Sequence, residues 1–368
     1  MASHVGDGLH ELEARLNPRL LQALDMVAPG TPLREGIDSI IHARTGGLIL
    51  IAEPDEASFL FSGGIKLDID YTPALLYQVA KMDGAIVLDP AGERIHWANV
   101  QLMPDPTILS METGTRHRTA ERVSKQTKAL VIAISQRRDV VSLYVEGMKY
   151  ILQDIPQVLS KANQGIATLE KYRARLDQVA ARLTGLELLG GCTLHDVLST
   201  LQRAELVTRM AAETERYIIE LGTEGRLIEM QLEETVVGVV GERAALVRDY
   251  SAIDTDEQVD RILYELAALP HQELLDFGRL AELLGYERKT STVDLTVAPR
   301  GYRALSRIPR LPRLVAQKIV HRFGDLDAIV NATEDELASV DGVGPVRARE
   351  LREGLRSLQE IDIVDRYP

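Results

Sequence analysis

Two short stretches of this chain combine residue types suited to nucleotide chemistry. In Met82-Asp83-Gly84-Ala85 a lone carboxylate precedes an apolar run, beside a glycine that leaves the backbone bare for a ligand. A carboxylate oxygen is a hard ligand suited to magnesium or manganese. Further on, Thr115-Arg116-His117-Arg118-Thr119 places two arginines, a histidine and two threonines at an expected helix start. Backbone N–H groups there attract anions, guanidinium groups suit bidentate contacts with phosphate, and threonine hydroxyls add donors. Arg116, Arg118 and Arg122 oppose the dipole of such a helix, so they require an anion or acidic neighbours. Each stretch also has a plainer reading. Asp-Gly commonly marks a helix-to-strand turn, His117 serves equally well as a satisfied structural histidine, and the cationic run as a solvated helix end. Taken together, the two stretches read as a metal–phosphate site.

The elements that must position them mix helix and strand. Leu12, Leu16, Leu20 and Leu24 fall four apart on one face of a helix over 11–24. After a break at Pro29-Gly30-Thr31-Pro32, a second helix is expected over 32–44, with Thr31 as cap, Glu35 completing a capping box, and Ile37, Ile40 and Ile41 inward. Gly46-Gly47 then opens a buried-type strand over 48–52. Further strands are expected over 65–70, 85–88, 95–102, 129–135 and 140–145, with helices over 72–82 and 119–128. This pattern describes an α/β domain with a mixed sheet over residues 1–148. Residues 149–295 carry few strand signals. They read as an all-α spine with helices over 158–183, 195–221, 229–250 and 256–269, the last capped by Asp256.

Residues 296–368 hold a repeat. The run Ile308-Pro309-Arg310-Leu311-Pro312-Arg313-Leu314 aligns with Val340-Asp341-Gly342-Val343-Gly344-Pro345-Val346 at an offset of 32, each copy a turn leading into a helix. Gly342-Val343-Gly344 followed by Ala348 has the spacing of a helix-hairpin-helix, whose glycines let backbone N–H groups meet a DNA phosphate while Arg347 and Arg349 add charge. In the first copy Arg310 and Pro312 replace the glycines, and Pro312 has no N–H to offer. That hairpin is either structural or binds through cations such as Arg310, Arg313 and Lys318. Over 296–325 seven cations (Arg300, Arg303, Arg307, Arg310, Arg313, Lys318, Arg322) face one acid, Asp325. Such a stripe is a better guide to DNA contact than the net charge of −13 over 368 residues.

Composition narrows the class. Apolar residues are 45% and charged residues 26%, enough for ordinary cores, while aromatic residues at 4% argue against a base-stacking surface. The single Cys192 excludes an internal disulfide and any cysteine-based zinc site, and fits a cytoplasmic protein. No apolar run is long enough to span a bilayer, and residues 1–16 do not read as a signal peptide.

These residues together resemble the DNA integrity scanning family of diadenylate cyclases. The likeness rests on Gly30-Thr31-Pro32-Leu33-Arg34-Glu35-Gly36, Ser62-Gly63-Gly64, Asp83-Gly84-Ala85, the 114–124 segment, Ser135-Gln136-Arg137-Arg138, the spine and the hairpins. It implies a cyclase that condenses two ATP into cyclic di-AMP, with Mg2+ or Mn2+ on Asp83. It implies that Thr115, Arg116, His117, Arg118 and Thr119 hold the triphosphate, that Gly84, Ala85 and Leu102 lie against the nucleoside, and that Ser135 is a further phosphate contact. It also implies a homo-octamer with cyclase domains face to face, and hairpins that bind branched DNA such as Holliday junctions and lower turnover. The first, proline-bearing hairpin is similar to the family's version. The rival reading is a non-enzymatic junction-binding scaffold with a nucleotide-sensing N-terminal domain. Against it stands the intact set of Asp83, Gly84 and the 115–119 run.

Overall fold

The computed structural model describes residues 17–136, 140–252 and 255–366. They form two compact units, residues 17–164 with 213–231, and residues 165–212 with 232–366. Leu12 and Leu16 of the expected first helix lie outside the described residues.

The first unit is built on an eight-stranded mixed sheet. Its strands are β1 (Gly47–Ile51), β2 (Phe61–Ser62), β3 (Ile65–Asp70), β4 (Ala85–Leu88), β5 (Arg94–Leu102), β6 (Leu130–Ile134), β7 (Val141–Val145) and β8 (Met148–Ile151). They run in the order β2-β5-β4-β1-β6-β7-β8, with β3 also on β5, and only β1 and β4 pair in parallel. β1 and β4 are buried along their whole length, which is why they read as unbroken apolar runs, and β7 is buried throughout with Ser142 as its one polar residue. β3 alternates and stays mostly exposed at the sheet edge.

Alternation along β1 divides the core. Ile49 and Ile51 point to a layer formed by helices α1 (Pro18–Met26), α2 (Pro32–His42) and α3 (Pro73–Val79), where Leu24, Ile37, Ile40 and Leu76 are fully buried. Leu48 and Leu50 point to the other face, covered by Ala120 and Val123 of helix α4 (Thr115–Thr127). Caps fix the helix starts. Thr31 accepts from the Arg34 N–H at 3.2 Å, and Thr72 from the Leu75 N–H at 3.2 Å.

Beyond the sheet the chain is helical. Helix α5 (Ile155–Leu189) runs for 35 residues and is followed by α6 (Leu194–Leu221), α7 (Arg226–Val236), α8 (Val239–Tyr250), α9 (Asp256–Ala268) and α10 (Phe277–Leu283). Three expectations need correction. The third residue of α2 is Arg34, so Glu35 stands one position too late to complete the capping box expected with Thr31. The single helix over 229–250 is two, because Gly238 takes a left-handed φ of +79° and starts α8. The cap of α9 is Thr255, which accepts from the Gln258 N–H, and Asp256 is its first helical residue.

The hairpin repeat is explicit in the backbone. Helices α11 (Tyr302–Ser306) and α12 (Arg313–Phe323) recur as α14 (Glu334–Ala338) and the start of α15 (Pro345–Arg366), with α13 (Leu326–Asn331) between them. One core holds all of them, including Leu305, Ile319, Ile329, Leu337, Ala348 and Leu351.

Candidate active site and nucleic-acid interface

Strand register gathers the predicted nucleotide residues at one end of the sheet. In the parallel β1–β4 pair Ile49 is opposite Ile86, so Gly46-Gly47 and Asp83-Gly84 lie at the same end. β6 is antiparallel to β1 with Gly47 opposite Ile134, which brings Ser135 to that end, half-buried. β5 is antiparallel to β4 with Ala85 opposite Val100, which brings Leu102 there as well. Arg137 and Arg138 lie outside the described residues.

Helix α4 reaches this end with its N-terminus. Its cap residue is Gly114, which offers no side chain to the first N–H groups. Arg116 donates to the Ile134 carbonyl at 3.3 Å and fills the space left by Gly46, where a Cβ would come within 2.5 Å of its Nη1. Arg118 turns back onto the loop before the helix and donates to the Glu112 and Thr113 carbonyls at 3.2 and 3.3 Å. Neither arginine pairs with a carboxylate among the described residues. Their charge is held in place without being neutralised. Thr115 is exposed, and His117 and Thr119 are half-buried.

Asp83 is exposed and has no hydrogen-bond or ion-pair partner among the described residues. Gly84 serves the fold directly. Its φ is +103°, and a Cβ there would lie 2.8 Å from the Asn99 carbonyl carbon, so β4 and β5 approach too closely for any side chain. Ala85 and Leu102 bury their side chains in the core beneath α4, which leaves backbone alone to face a ligand.

Several residues that frame the site carry no local signal. The loop over 103–114 is fastened along α4. Arg122 donates to the Ile108 carbonyl at 2.9 Å, Lys125 to the Leu109 carbonyl at 2.9 Å, and Gln126 accepts from the Asp105 N–H at 3.0 Å. Glu121 takes the Ser110 hydroxyl at 2.6 Å and Lys125 at 2.6 Å. Burial would raise the Glu121 pKa, but these two bonds outweigh it and keep the group below the usual carboxylate range. Near the helix start, Glu112 accepts the Tyr144 hydroxyl at 3.0 Å and Lys149 at 2.7 Å, and Tyr144 meets the edge of the His117 ring at 6.4 Å between centroids. Burial pushes Glu112 up, yet Lys149 and Tyr144 pull it further down, so it stays ionised beside His117. A buried tyrosine whose hydroxyl needs a partner was the one hint in the sequence.

At the C-terminal end the basic stripe dissolves into two groups. Arg303 is fully buried and forms ion pairs with Glu187 and with Glu242, the latter at 2.6 Å. Arg307 reaches Glu242 at 3.5 Å, and Arg300 donates to the Arg248, Asp249 and Ser251 carbonyls at the end of α8. Asp249 in turn accepts the N–H groups of Gly301, Tyr302 and Arg303 at 2.7–2.8 Å and so caps α11. Arg300 and Arg303 are taken up in joining the hairpins to the preceding helices, whereas Arg307 stays exposed beside Glu242.

Arg310, Arg313 and Lys318 stay exposed, as do Gly342, Gly344 and Arg349. Arg313 pairs with Asp256 at 2.9 Å, Lys318 with Asp341, and Arg349 with Glu334 at 3.9 Å, all exposed pairs of the kind that exchange readily. Arg347 folds back onto the Gly342 carbonyl. The Val343 side chain is buried in the hairpin core, so only its backbone can face outward. Arg310 adopts φ +62°, the left-handed conformation that Gly342 adopts at +89° in the other copy. The first hairpin therefore keeps the turn without the glycine.

No helix among the described residues is long and apolar enough to cross a membrane. A family profile described as DisA bacterial checkpoint controller nucleotide-binding matches residues 34–149, one described as DisA bacterial checkpoint controller linker region matches 152–293, and one described as helix-hairpin-helix motif matches 304–364. A DNA integrity scanning protein of Carboxydothermus hydrogenoformans is 51% identical over 342 residues, 93% of this chain and 97% of that protein. Its counterpart in Symbiobacterium thermophilum is 49% identical over 92% of this chain and 95% of that protein. That of Streptomyces avermitilis is 46% identical over 94% and 93%.

Proposed function

The chain belongs to the DNA integrity scanning proteins and is a diadenylate cyclase with a C-terminal helix-hairpin-helix domain, and from that premise we propose that it condenses two ATP into cyclic di-AMP. Each 3′-hydroxyl oxygen bonds to the α-phosphorus of the other ATP. The bond from that phosphorus to its bridging oxygen breaks, a pyrophosphate leaves, and the hydroxyl proton is released. Phosphoryl transfer of this kind depends mostly on positioning and on stabilising charge.

The observation that carries the reading is the sheet end where Arg116 and Arg118, bonded only to carbonyls, meet an uncapped helix N-terminus and the exposed Asp83. Arg116, Arg118, His117, Thr115 and Thr119 hold the triphosphate in this reading, with Ser135 as a further contact. Asp83 holds Mg2+ or Mn2+. The donor set fits such an ion. No group of three or more His, Cys, Asp or Glu that could hold a metal occurs among the described residues, and magnesium is commonly bound by one or two carboxylates with phosphate oxygens and water completing the shell. When bound, the metal supplies charge neutralisation and lowers the pKa of the attacking hydroxyl.

A symmetric product from two identical substrates calls for two sites facing each other across a twofold axis. Leu109 and Met111 on the fastened loop are 86% and 94% exposed, apolar surface that a facing copy would cover. The reading extends this to a homo-octamer in the cytoplasm whose hairpins bind branched DNA such as Holliday junctions and slow the cyclase.

The test is incubation with ATP and either metal, with chromatography of the products. Wild type is expected to form cyclic di-AMP and pyrophosphate, more slowly when a four-way junction is added. Asp83→Asn is expected to form neither while keeping the wild-type circular dichroism. Absence of cyclic dinucleotide from the wild type under both metals would sink the reading, and turnover by Asp83→Asn would remove Asp83 as the metal ligand.

A further inference from the structure

Within residues 296–359 only two large hydrophobic side chains are left exposed, Leu314 at 71% and Val346 at 72%. They are the same position of the repeat, 32 residues apart. Each is the second residue of the second helix of its hairpin, α12 starting at Arg313 and α15 at Pro345. The residue that follows the turn is thus apolar and outward in both copies, whereas the turn itself differs between them. Single exposed hydrophobics are ordinary. A pair related by an internal repeat, in a domain whose other apolar side chains are packed, is not explained by chance exposure.

The two positions also sit close together. Val315, next to Leu314, lies 3.3 Å from where a Cβ on Gly342 would stand, and Lys318 of the first hairpin pairs with Asp341 of the second. The hairpin tips are neighbours. Around them stand Arg310 and Arg313 on one side and Arg347 on the other, with the backbone N–H groups of two helix starts. Apolar tips surrounded by cations match the chemistry of a duplex opened at its minor groove. There phosphates flank the groove, and a wedge side chain replaces stacking between adjacent bases. Two neighbouring tips, one from each copy of the repeat, can address the two strands of DNA.

Resting on the reading that the hairpins bind DNA, we propose that Leu314 and Val346 form a paired wedge that enters between unstacked bases, one side chain from each hairpin. At a branch point the stacks of adjacent arms can part without kinking a continuous duplex, so a wedge costs less there than within an intact duplex. The wedge therefore supplies preference for branched DNA, while the cations and backbone N–H groups supply affinity for phosphate without regard to shape.

The test uses the full-length protein and a four-way junction carrying a fluorescent adenine analogue at the branch point, which brightens when unstacked. Wild type is expected to raise the emission. Leu314→Ser with Val346→Ser is expected to abolish the rise and weaken junction binding about tenfold or more, by loss of two apolar contacts. Binding to a linear duplex, the slope of log affinity against log salt, and ATP turnover without DNA should stay unchanged. The conservative pair Leu314→Met with Val346→Ile should retain the rise. An emission rise that survives in the serine variant overturns the proposal, as does a flatter salt slope, which would assign the loss to phosphate contacts. A serine variant that binds the junction normally but fails to self-associate would also overturn it, making these residues a contact between copies. A wild type that does not bind the junction at all fails the DNA reading itself, whereas binding with no emission change fails only the wedge.

Discussion

Two arginine clusters in this molecule are equally basic in sequence and have opposite surroundings. At the start of α4, Arg116 and Arg118 donate to backbone carbonyls and meet no carboxylate among the described residues. At the base of the hairpins, Arg303 is buried between Glu187 and Glu242, and Arg307 shares Glu242. A carbonyl fixes the direction of a guanidinium and leaves its charge for a ligand. A carboxylate consumes the charge and turns the arginine into part of the core. The partner of each arginine, more than its abundance, tells which cluster acts on phosphate.

The largest effect that separates the two is expected at Arg303. Arg303→Met removes the buried cation between Glu187 and Glu242, which leaves Glu187 without an ion pair among the described residues and Glu242 with only the longer contact to Arg307. A loss of about 3–5 kcal/mol is expected from such a half-broken buried pair. Urea unfolding followed by circular dichroism should show the midpoint falling accordingly. A change below about 1 kcal/mol would mean that the carboxylates take up protons or water at little cost, and the contrast between the clusters would weaken.

Arg116→Ala should do the reverse. The side chain makes a single bond to the Ile134 carbonyl, so the unfolding midpoint should move little. Turnover should fall roughly a hundredfold to a thousandfold, the scale for losing one charge-stabilising donor at a phosphoryl centre. Equal losses of stability and turnover would make Arg116 a structural residue like Arg303.

How much of this was legible in the sequence follows from range. The buried strands were readable because β1 and β4 are apolar on both faces, and Gly46-Gly47 marks a boundary within a few residues. The gathering of Asp83, Ser135 and Arg116 at one sheet end was not readable, since it depends on strand order. The break at Gly238 was hidden because valines on both sides keep the apolar pattern going. The division of the basic stripe was the least legible. Arg303 finds Glu187 across 116 residues of sequence, and no local count of charges registers that distance. Arg310 shows the same limit from the backbone side. Its left-handed φ of +62° is set by the repeat, whereas its residue type argues against that conformation.

A smaller effect should appear in the pH dependence of the joint. Burial and the nearby Glu187 push Asp249 up to about 7, against three N–H donors that favour its charge. Burial raises Glu187 as well, opposed by Arg303. In the unfolded chain Asp249 titrates near its ordinary 3.8, so between 3.8 and about 7 the folded protein binds more protons than the unfolded one. The corresponding stability is full below the lower value and is lost as pH rises through the upper one. The slope is at most ~1.4 kcal/mol per pH unit for each such group. Unfolding midpoints measured from pH 4 to 8 should therefore fall towards neutrality, and Asp249→Asn should flatten part of the fall. The α4 cluster has no buried carboxylate raised in this way among the described residues. Arg116→Ala should accordingly leave the slope as it is.

The smallest effect tests a pair that lies between the two extremes. Lys318 and Asp341 join the two hairpin tips, but both are exposed. Water screens the attraction, and breaking the pair should not change the unfolding midpoint measurably. Its consequence for DNA has a definite sign. A phosphate that approaches Lys318 also approaches Asp341, whose charge repels it, so the carboxylate subtracts from whatever the lysine adds. Asp341→Asn should then tighten junction binding several-fold at low salt, and the gain should shrink as ionic strength brings the screening length below the spacing of the charges. Lys318→Gln should weaken binding in the wild-type background. Because the carboxylate repels phosphate directly, the double substitution should bind more tightly than Lys318→Gln; a match between the two would mean that Asp341 acts only by occupying Lys318. Should Asp341→Asn bind no more tightly at any salt concentration, Lys318 faces away from the DNA, and the cations that meet phosphate are narrowed to Arg310, Arg313, Arg347 and Arg349.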